Sequence, residues 1–228
     1  MDPRAITPGG EILLRLYRVL LDHFGGQGWW PAETAFEVMV GAVLTQNTNW
    51  GNVEKAIANL RRRNLLSVEG LHSVQLEELA GCIRPAGYFN VKAVRLKNFL
   101  RFIMERYGGD LEALFAEETD KLREGLMSVK GIGPETADSI LLYAVGRPVF
   151  VVDAYTHRIL CRHGLAEEGM TYDDLQDLFA GGIKAEVDLF REFHALLVRT
   201  GKEFCRPKPL CSECPLRTEN EVCSEDMS

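Results

Sequence analysis

Apolar residues recur at helical spacing along almost the whole of this chain, and that periodicity restricts it to one class of architecture. Ile12, Leu13, Leu16, Tyr17, Leu20, Leu21 and Phe24 form one stripe, which Gly25-Gly26 stops. Thr34 is placed to cap a second helix that carries Phe36, Val40, Val43 and Leu44 to the polar stretch Thr45-Gln46-Asn47-Thr48-Asn49. Further helices are predicted at about 51–62, 75–81, 90–107, 119–127, 134–145, 154–163, 171–180 and 185–200. Only Val149-Phe150-Val151-Val152 reads as strand, and it is short. Helices joined by short turns imply an all-α fold. The Gly146-Arg147-Pro148 turn is the best internal boundary. The expected organisation is a helical domain over 27–146, a second lobe from 1–26 plus 147–204, and a cysteine loop over 205–228.

Four cysteines stand near the end as Cys205-x5-Cys211-x2-Cys214-x8-Cys223. In a reducing compartment thiols spaced so closely hold metal more often than they form disulfides. A cytoplasmic setting is the expectation, because Met1-Asp2-Pro3-Arg4-Ala5-Ile6 lacks the basic-then-apolar pattern of an export signal. No apolar run reaches the roughly 20 residues that a membrane helix needs. Proline, glycine and charge dominate the tail, so a metal must supply much of its order. Cys82 and Cys161 fall on helical patterns far from the four and read as small core residues.

The formal charge is −7, which argues against nucleic acid as a partner, since phosphate contacts need local positive charge. The distribution matters more than the sum. Between Arg84 and Arg106 stand Arg84, Lys92, Arg95, Lys97, Arg101 and Arg106 against Glu105 alone, a local balance of +5 that leaves −12 elsewhere. The asymmetry fits one basic face on an acidic body, or a solvated helix face.

Lys130-Gly131-Ile132-Gly133-Pro134 fits the turn of a helix-hairpin-helix spanning about 122–145. Two glycines permit torsions barred to other residues and let the main chain approach a ligand closely. Pro134 suits the first turn of the following helix, where its missing N–H is not needed. The free N–H groups there point at an anion, and a DNA phosphate is a natural one. Ile132 tucks back between the helices. Alone, glycine-x-glycine also fits an ordinary tight turn; Val151-Val152-Asp153 downstream and the four cysteines favour the DNA-binding reading.

These motifs join others in order: Phe36-Glu37-Val38 through Leu44-Thr45-Gln46-Asn47-Thr48, Gly87-Tyr88-Phe89-Asn90-x-Lys92-Ala93, Gly131-Ile132-Gly133-x-x-Thr136-Ala137, and Gly201-x-x-x-Cys205. From about Phe36 to Cys223 the chain resembles the endonuclease III superfamily of helix-hairpin-helix DNA glycosylases. The resemblance implies two helical lobes flanking a DNA-binding cleft, with a C-terminal iron–sulfur loop. It implies double-stranded DNA with a damaged base as partner, a monomeric protein near the nucleoid, and no membrane. Asp153 takes the catalytic position, and Cys205, Cys211, Cys214 and Cys223 take those that bind a [4Fe-4S] cluster. Their x5, x2, x8 spacing departs from the usual x6, x2, x5, and zinc is the rival metal because four thiolates suit it equally.

Two departures narrow the activity that the resemblance implies. The lyase members carry a lysine two residues after the second hairpin glycine; this chain has Glu135, and a carboxylate cannot form the imine through which lysine cleaves the backbone. Adenine-mismatch members rely on a glutamate whose place is taken here by Gly41. The branch acting on alkylated purines such as 3-methyladenine is most similar, through Leu44 to Thr48, Trp29-Trp30-Pro31 and Trp50. In its terms Tyr88 is the wedge that enters the base stack, and Gln46 or Asn47 fills the space of the flipped nucleotide. Trp30, Pro31 and Trp50 form the pocket for a cationic base, with Glu135 adding negative charge. Lys130, Gly131, Ile132 and Gly133 hold the DNA backbone. Two other functions stay open: an endonuclease III-like glycosylase/lyase for oxidised pyrimidines with Lys130 as nucleophile, and a non-catalytic binder of damaged DNA.

Overall fold

The structure, a computed structural model, describes residues 8–28, 30 and 32–218. Among these there are twelve α-helices: α1 (Pro8–Phe24), α2 (Ala35–Thr45), α3 (Trp50–Arg62), α4 (Val68–Ser73), α5 (Leu76–Cys82), α6 (Phe89–Tyr107), α7 (Leu111–Ala116), α8 (Thr119–Ser128), α9 (Pro134–Ser139), α10 (Ala154–Arg162), α11 (Tyr172–Gly182) and α12 (Val187–Glu203). No strand occurs among the described residues, in keeping with the all-α expectation. The short helices α4 and α7 have too few turns to show a period in sequence, and the apolar spacing marks neither. The chain divides into two compact units, one continuous from Trp30 to Arg147, the other joining the residues before it to those from Pro148 onward.

In the continuous unit, α2 is buried on every side from Phe36 to Leu44, as a helix apolar all round must be. Thr34 caps it, its side chain accepting from the Glu37 N–H at 3.1 Å. Helices α3, α6 and α9 pack against α2. Along α6, Ala93, Leu96, Phe99, Leu100 and Ile103 turn inward at helical spacing. The basic run is split: Arg84, Arg101 and Arg106 are exposed, while the other three turn their charge to groups within this unit. Lys92 is buried, Lys97 donates to the carbonyls of Leu71, His72 and Val74, Arg95 donates to Gln46, and Arg106 pairs with Glu117 at 3.1 Å. Helix ends leave carbonyls without partners, and the two lysines satisfy some of them.

Helices α8 and α9 form the hairpin. Asp138 on α9 is 0% exposed, and Arg123 on α8 grips it with Nε to Oδ1 at 2.7 Å and Nη2 to Oδ2 at 3.0 Å. Such a two-pronged pair fixes the angle between the helices as well as their distance. The helix expected over 134–145 is regular only to Ser139, and Ile140–Val145 continues it with wider π-type turns.

In the other unit, α1 packs on α11 and α12, and α10 packs on α12. Leu13, Leu16 and Leu20 of the first predicted stripe are buried there. The strand-like run is a correction: Phe150, Val151 and Val152 are deeply buried and Val149 half-buried, but no residue of the run is in a strand, and none occurs among the described residues for it to pair with. Their polar groups turn to side chains instead, Gln176 Nε2 donating to the Phe150 carbonyl at 2.6 Å and the Val152 N–H to the Tyr172 hydroxyl at 3.4 Å. Apolar residues gather there because the Phe150 ring stacks on Phe179 at 3.5 Å and meets Phe190 edge-on.

The hairpin clamp yields a stability prediction. Arg123→Ala takes the paired guanidinium from the buried Asp138 carboxylate, and urea unfolding is expected to show a loss of about 3–5 kcal/mol. Arg123→Leu combined with Asp138→Leu removes both charges and is expected to recover most of it; equal losses in the single and double variants would show that the charge pair is not what is felt.

Candidate functional site

The hairpin turn is built by Ile132, whose N–H donates to the Val129 carbonyl at 2.9 Å, and by Gly133, whose carbonyl accepts from Ala137 at 3.0 Å. Ile132 is buried, as its apolar character required. The glycines serve different purposes. Gly131 has φ +101, and a Cβ on it would stand 2.4 Å from Arg95 Cγ, so both torsion and space exclude a side chain. Gly133 has φ −100 and ψ 179, extended backbone open to any residue, so the expected torsional need applies to Gly131 alone. A Cβ on Gly133 would meet nothing within 4 Å, which leaves its main chain open to a close ligand. Pro134 opens α9, and Glu135 lies in that first turn, where the helix dipole favours a carboxylate.

Gln46 ends α2 and ties three elements together. Its Nε2 donates to the Gly131 carbonyl at 3.1 Å and to Thr136 Oγ1 at 2.9 Å, while its Oε1 accepts from Arg95. Asn98 adds a bond to the Lys130 carbonyl at 3.0 Å. Of the two candidates for filling a vacated stack, Gln46 is thus committed within the protein and Asn47 is exposed. Asn47 has φ 54 and Tyr88 has φ 44, left-handed values uncommon for residues with side chains. Tyr88 is 73% exposed, a large ring held out from the surface. Both line one pocket of about 220 Å³, with Gln46, Val91, Lys92 and Arg95.

Trp30 and Trp50 meet edge to face with centroids 5.0 Å apart, and Tyr143 adds a third ring 5.0 Å from Trp30. Rings in such contact cannot sandwich a base between them, so the two tryptophans make a corner and not parallel walls. Trp50 Nε1 donates to Glu54 at 2.9 Å, which brings a carboxylate to the same cluster. Trp30 Nε1 is buried and has no hydrogen-bond partner. Gly41 lies under both rings: a Cβ there would stand 3.3 Å from Trp50 Cη2 and 3.4 Å from Trp30 Nε1. The missing glutamate and the tryptophan pair are therefore one feature, because a longer side chain at 41 needs the volume that the indoles fill. Tyr143 and Glu54 were not foreseen; neither sits in a motif, and only folding brings them beside Trp30 and Trp50. Pro31 lies outside the described residues.

In the second unit Asp153 caps α10, Oδ1 accepting from the Thr156 N–H at 2.7 Å. Its Oδ2 faces His194 Nε2 at 3.8 Å. Burial pushes the His194 pKa down, while Asp153 acts the other way and Lys202 reinforces the fall, so the imidazole is held towards its neutral form. One oxygen of Asp153 is thus fixed by the backbone, and the carboxylate keeps its orientation.

Cys205 and Cys214 are buried and Cys211 half-buried. Burial pushes the Cys214 thiol up, the Leu216 N–H acts against this, and Cys205 and Cys211 push it further up, which places the three sulfurs as electrostatic neighbours. Arg162 Nη1 donates to Cys205 Sγ at 3.3 Å, and Arg158 Nε donates to the Cys205 carbonyl at 2.7 Å. Crowded thiols next to a guanidinium suit a thiolate-bound cation, and in donor chemistry the residues fit an iron–sulfur or zinc centre. Among the described residues no three His, Cys, Asp or Glu side chains are already drawn together as a metal cage, and Cys223 lies outside those residues. Cys82 in α5 is buried, as a core residue should be, whereas Cys161 in α10 is only half-buried, which corrects the expectation that it is a core residue. No helix among the described residues is long and apolar enough to cross a membrane.

The chain is 48% identical over 91% of its length, and 94% of the relative's, to a Methanocaldococcus jannaschii protein whose name assigns it provisionally to the DNA repair glycosylases. It is 30% identical to endonuclease III of Thermotoga maritima over 82% of each chain. Among solved structures, the 3-methyladenine DNA glycosylase MagIII of H. pylori, bound to 1,N6-ethenoadenine, is similar with a TM-score of 0.74 and 33% identity, over 86% of this chain and 98% of that one. Residues 40–184, which include the hairpin, Asp153 and Gln46, match the HhH-GPD superfamily of base excision DNA repair proteins, and the chain belongs to that family.

Proposed function

We propose that the protein is a monofunctional DNA glycosylase that hydrolyses the N-glycosidic bond of alkylated purines such as 3-methyladenine. The observation that carries the substrate class is the aromatic corner of Trp30, Trp50 and Tyr143 with Glu54 at its edge and no side chain on Gly41. A purine methylated on its ring nitrogen is a cation, and electron-rich ring faces beside a carboxylate attract it. The likeness to MagIII supports the same reading.

In the reaction the duplex is held by the backbone groups of Lys130 to Gly133, and the damaged nucleotide turns out of the stack. The C1′–N bond breaks with its electron pair leaving on the base, which departs neutral, and positive charge develops on the sugar. Asp153, its Oδ1 anchored by the Thr156 N–H, stabilises that charge and takes a proton from the water that adds to C1′. The products are a free base and an abasic site. Glu135 offers no amine to attack the sugar, so the backbone stays intact. Cys205, Cys211, Cys214 and Cys223 would hold a [4Fe-4S] cluster, whose chemistry here is to order the loop that α10 grips through Arg158 and Arg162.

Four measurements test this. In single-turnover base release, Trp30→Ala and Trp50→Ala are expected to reduce excision of 3-methyladenine about 2- to 30-fold more than excision of any neutral lesion, because only the charged base gains the cation–π attraction. Equal losses on charged and neutral bases reduce the rings to packing.

Asp153→Asn keeps the shape and removes the charge, so base release should fall at least about a hundredfold while duplex binding persists. The wild-type product should be an abasic strand cut only after alkali, with no adduct trapped by borohydride. Robust trapping would point to a lysine nucleophile, Lys130 first.

Anaerobically purified protein should be brown, with a broad band near about 400 nm from thiolate-to-iron charge transfer. Cys211→Ser should lower the iron content and Cys82→Ala and Cys161→Ala should not. Colourless, folded protein containing zinc would replace the iron–sulfur assignment.

A further inference from the structure

Lys92 is 1% exposed, and its ammonium donates to the Leu44 carbonyl at 2.9 Å and the Ala86 carbonyl at 2.7 Å. Packing alone does not call for a lysine here, since burying an ammonium carries a heavy desolvation cost that methionine or leucine would avoid. The two acceptors explain the choice. Leu44 lies in the last turn of α2 and Ala86 ends the 3-10 turn Arg84–Ala86, so each presents a carbonyl from the negative end of a helical segment. Three residues beyond Leu44 comes Asn47, and two beyond Ala86 comes Tyr88, both in left-handed conformations that last only where the surroundings dictate them. The same ammonium therefore holds the roots of both loops, and Lys92 lines the pocket that Asn47 and Tyr88 share. Burial, with Arg95 adding repulsion, lowers the Lys92 pKa to about 8, as expected where the two carbonyls do not fully replace the lost water.

We infer that Lys92 is a positioning residue that fixes the separation of the Asn47 and Tyr88 loops, so that the two side chains enter a DNA duplex as one rigid fork. The inference rests on the reading of this protein as a base-flipping enzyme and concerns the opening of the duplex, not the chemistry at the sugar. A fork held from behind by one cation needs no ordering when it meets DNA, and its two tips cannot drift apart under the stack they separate.

The test compares Lys92→Met, close in shape and without donors, with the wild type on one lesion placed in a duplex and in a single strand. The lesion is one that the wild type is first shown to release. Release from the duplex should fall about a hundredfold, the size expected for a displaced positioning group. Release from the single strand, where no partner strand must be parted, should stay within about twofold. Equal losses on both substrates would overturn the inference and make Lys92 a general structural residue. Should circular dichroism show Lys92→Met unfolded, Lys92→Arg, which keeps charge and donors but not the spacing of the two bonds, carries the same comparison with the same outcomes. If the wild type releases no base at all, the glycosylase reading fails by itself, and the fork is tested with 2-aminopurine placed opposite an abasic site. Wild-type protein should then raise the fluorescence by unstacking the probe, and the Lys92 variant should bind without that rise; an equal rise from both would overturn it.

Discussion

The carboxamide of Gln46 is the interaction on which the unit that carries the hairpin depends. A hairpin of two short helices has little surface of its own to bury and cannot stand alone. Gln46 supplies donors to the Gly131 carbonyl and to Thr136, and accepts from Arg95 of α6, so the turn is held from the end of a wholly buried helix. An amide can do this because it offers two N–H groups and an acceptor within a few ångströms. Arg95 in turn needs the space left by Gly131, whose side chain would strike it. Residues from three distant parts of the chain thus depend on each other.

The same economy explains an acidic protein with a DNA-binding motif. Positive charge on α6 serves the interior, through Lys92, Arg95 and Lys97 on carbonyls and an amide. In the proposed complex the hairpin would meet phosphate through backbone N–H groups, which carry no formal charge and are not counted in a net balance. Net charge is therefore a poor guide to nucleic-acid binding where the main chain makes the contacts.

In the proposed reaction Asp153 joins a chemical role to the structural one that it has as a helix cap. Capping α10 occupies Oδ1 and fixes the carboxylate, which leaves the other oxygen, opposite neutral-leaning His194, as the distinct half of the group. A cap and a catalyst make the same demand, an ionised carboxylate held still, and no conflict arises between them. Arg158 and Arg162 lie one turn apart on that helix and reach the Cys205 segment, so the order of the cysteine loop bears on the helix that Asp153 begins.

By itself the sequence determined what depends on local period and local chemistry. The long helices, the Thr34 and Asp153 caps, Pro134 at the start of α9, and the absence of a lysine at 135 are all written in neighbouring residues. Short helices such as α4 lie below the length at which a period shows, and the buried run at 150–152 has strand composition because burial, not pairing, selects it. Only the tertiary structure decided which charges face inward, that Gln46 is tied down while Asn47 stands free of such bonds to the hairpin, and that Tyr143 and Glu54 complete the aromatic corner. It also decided the meaning of Lys92, a lysine on a helix in the sequence and a buried clamp in the fold. The reason is physical: hydrogen bonds and ring contacts are made between residues tens of positions apart, and no pattern of near neighbours records who will meet.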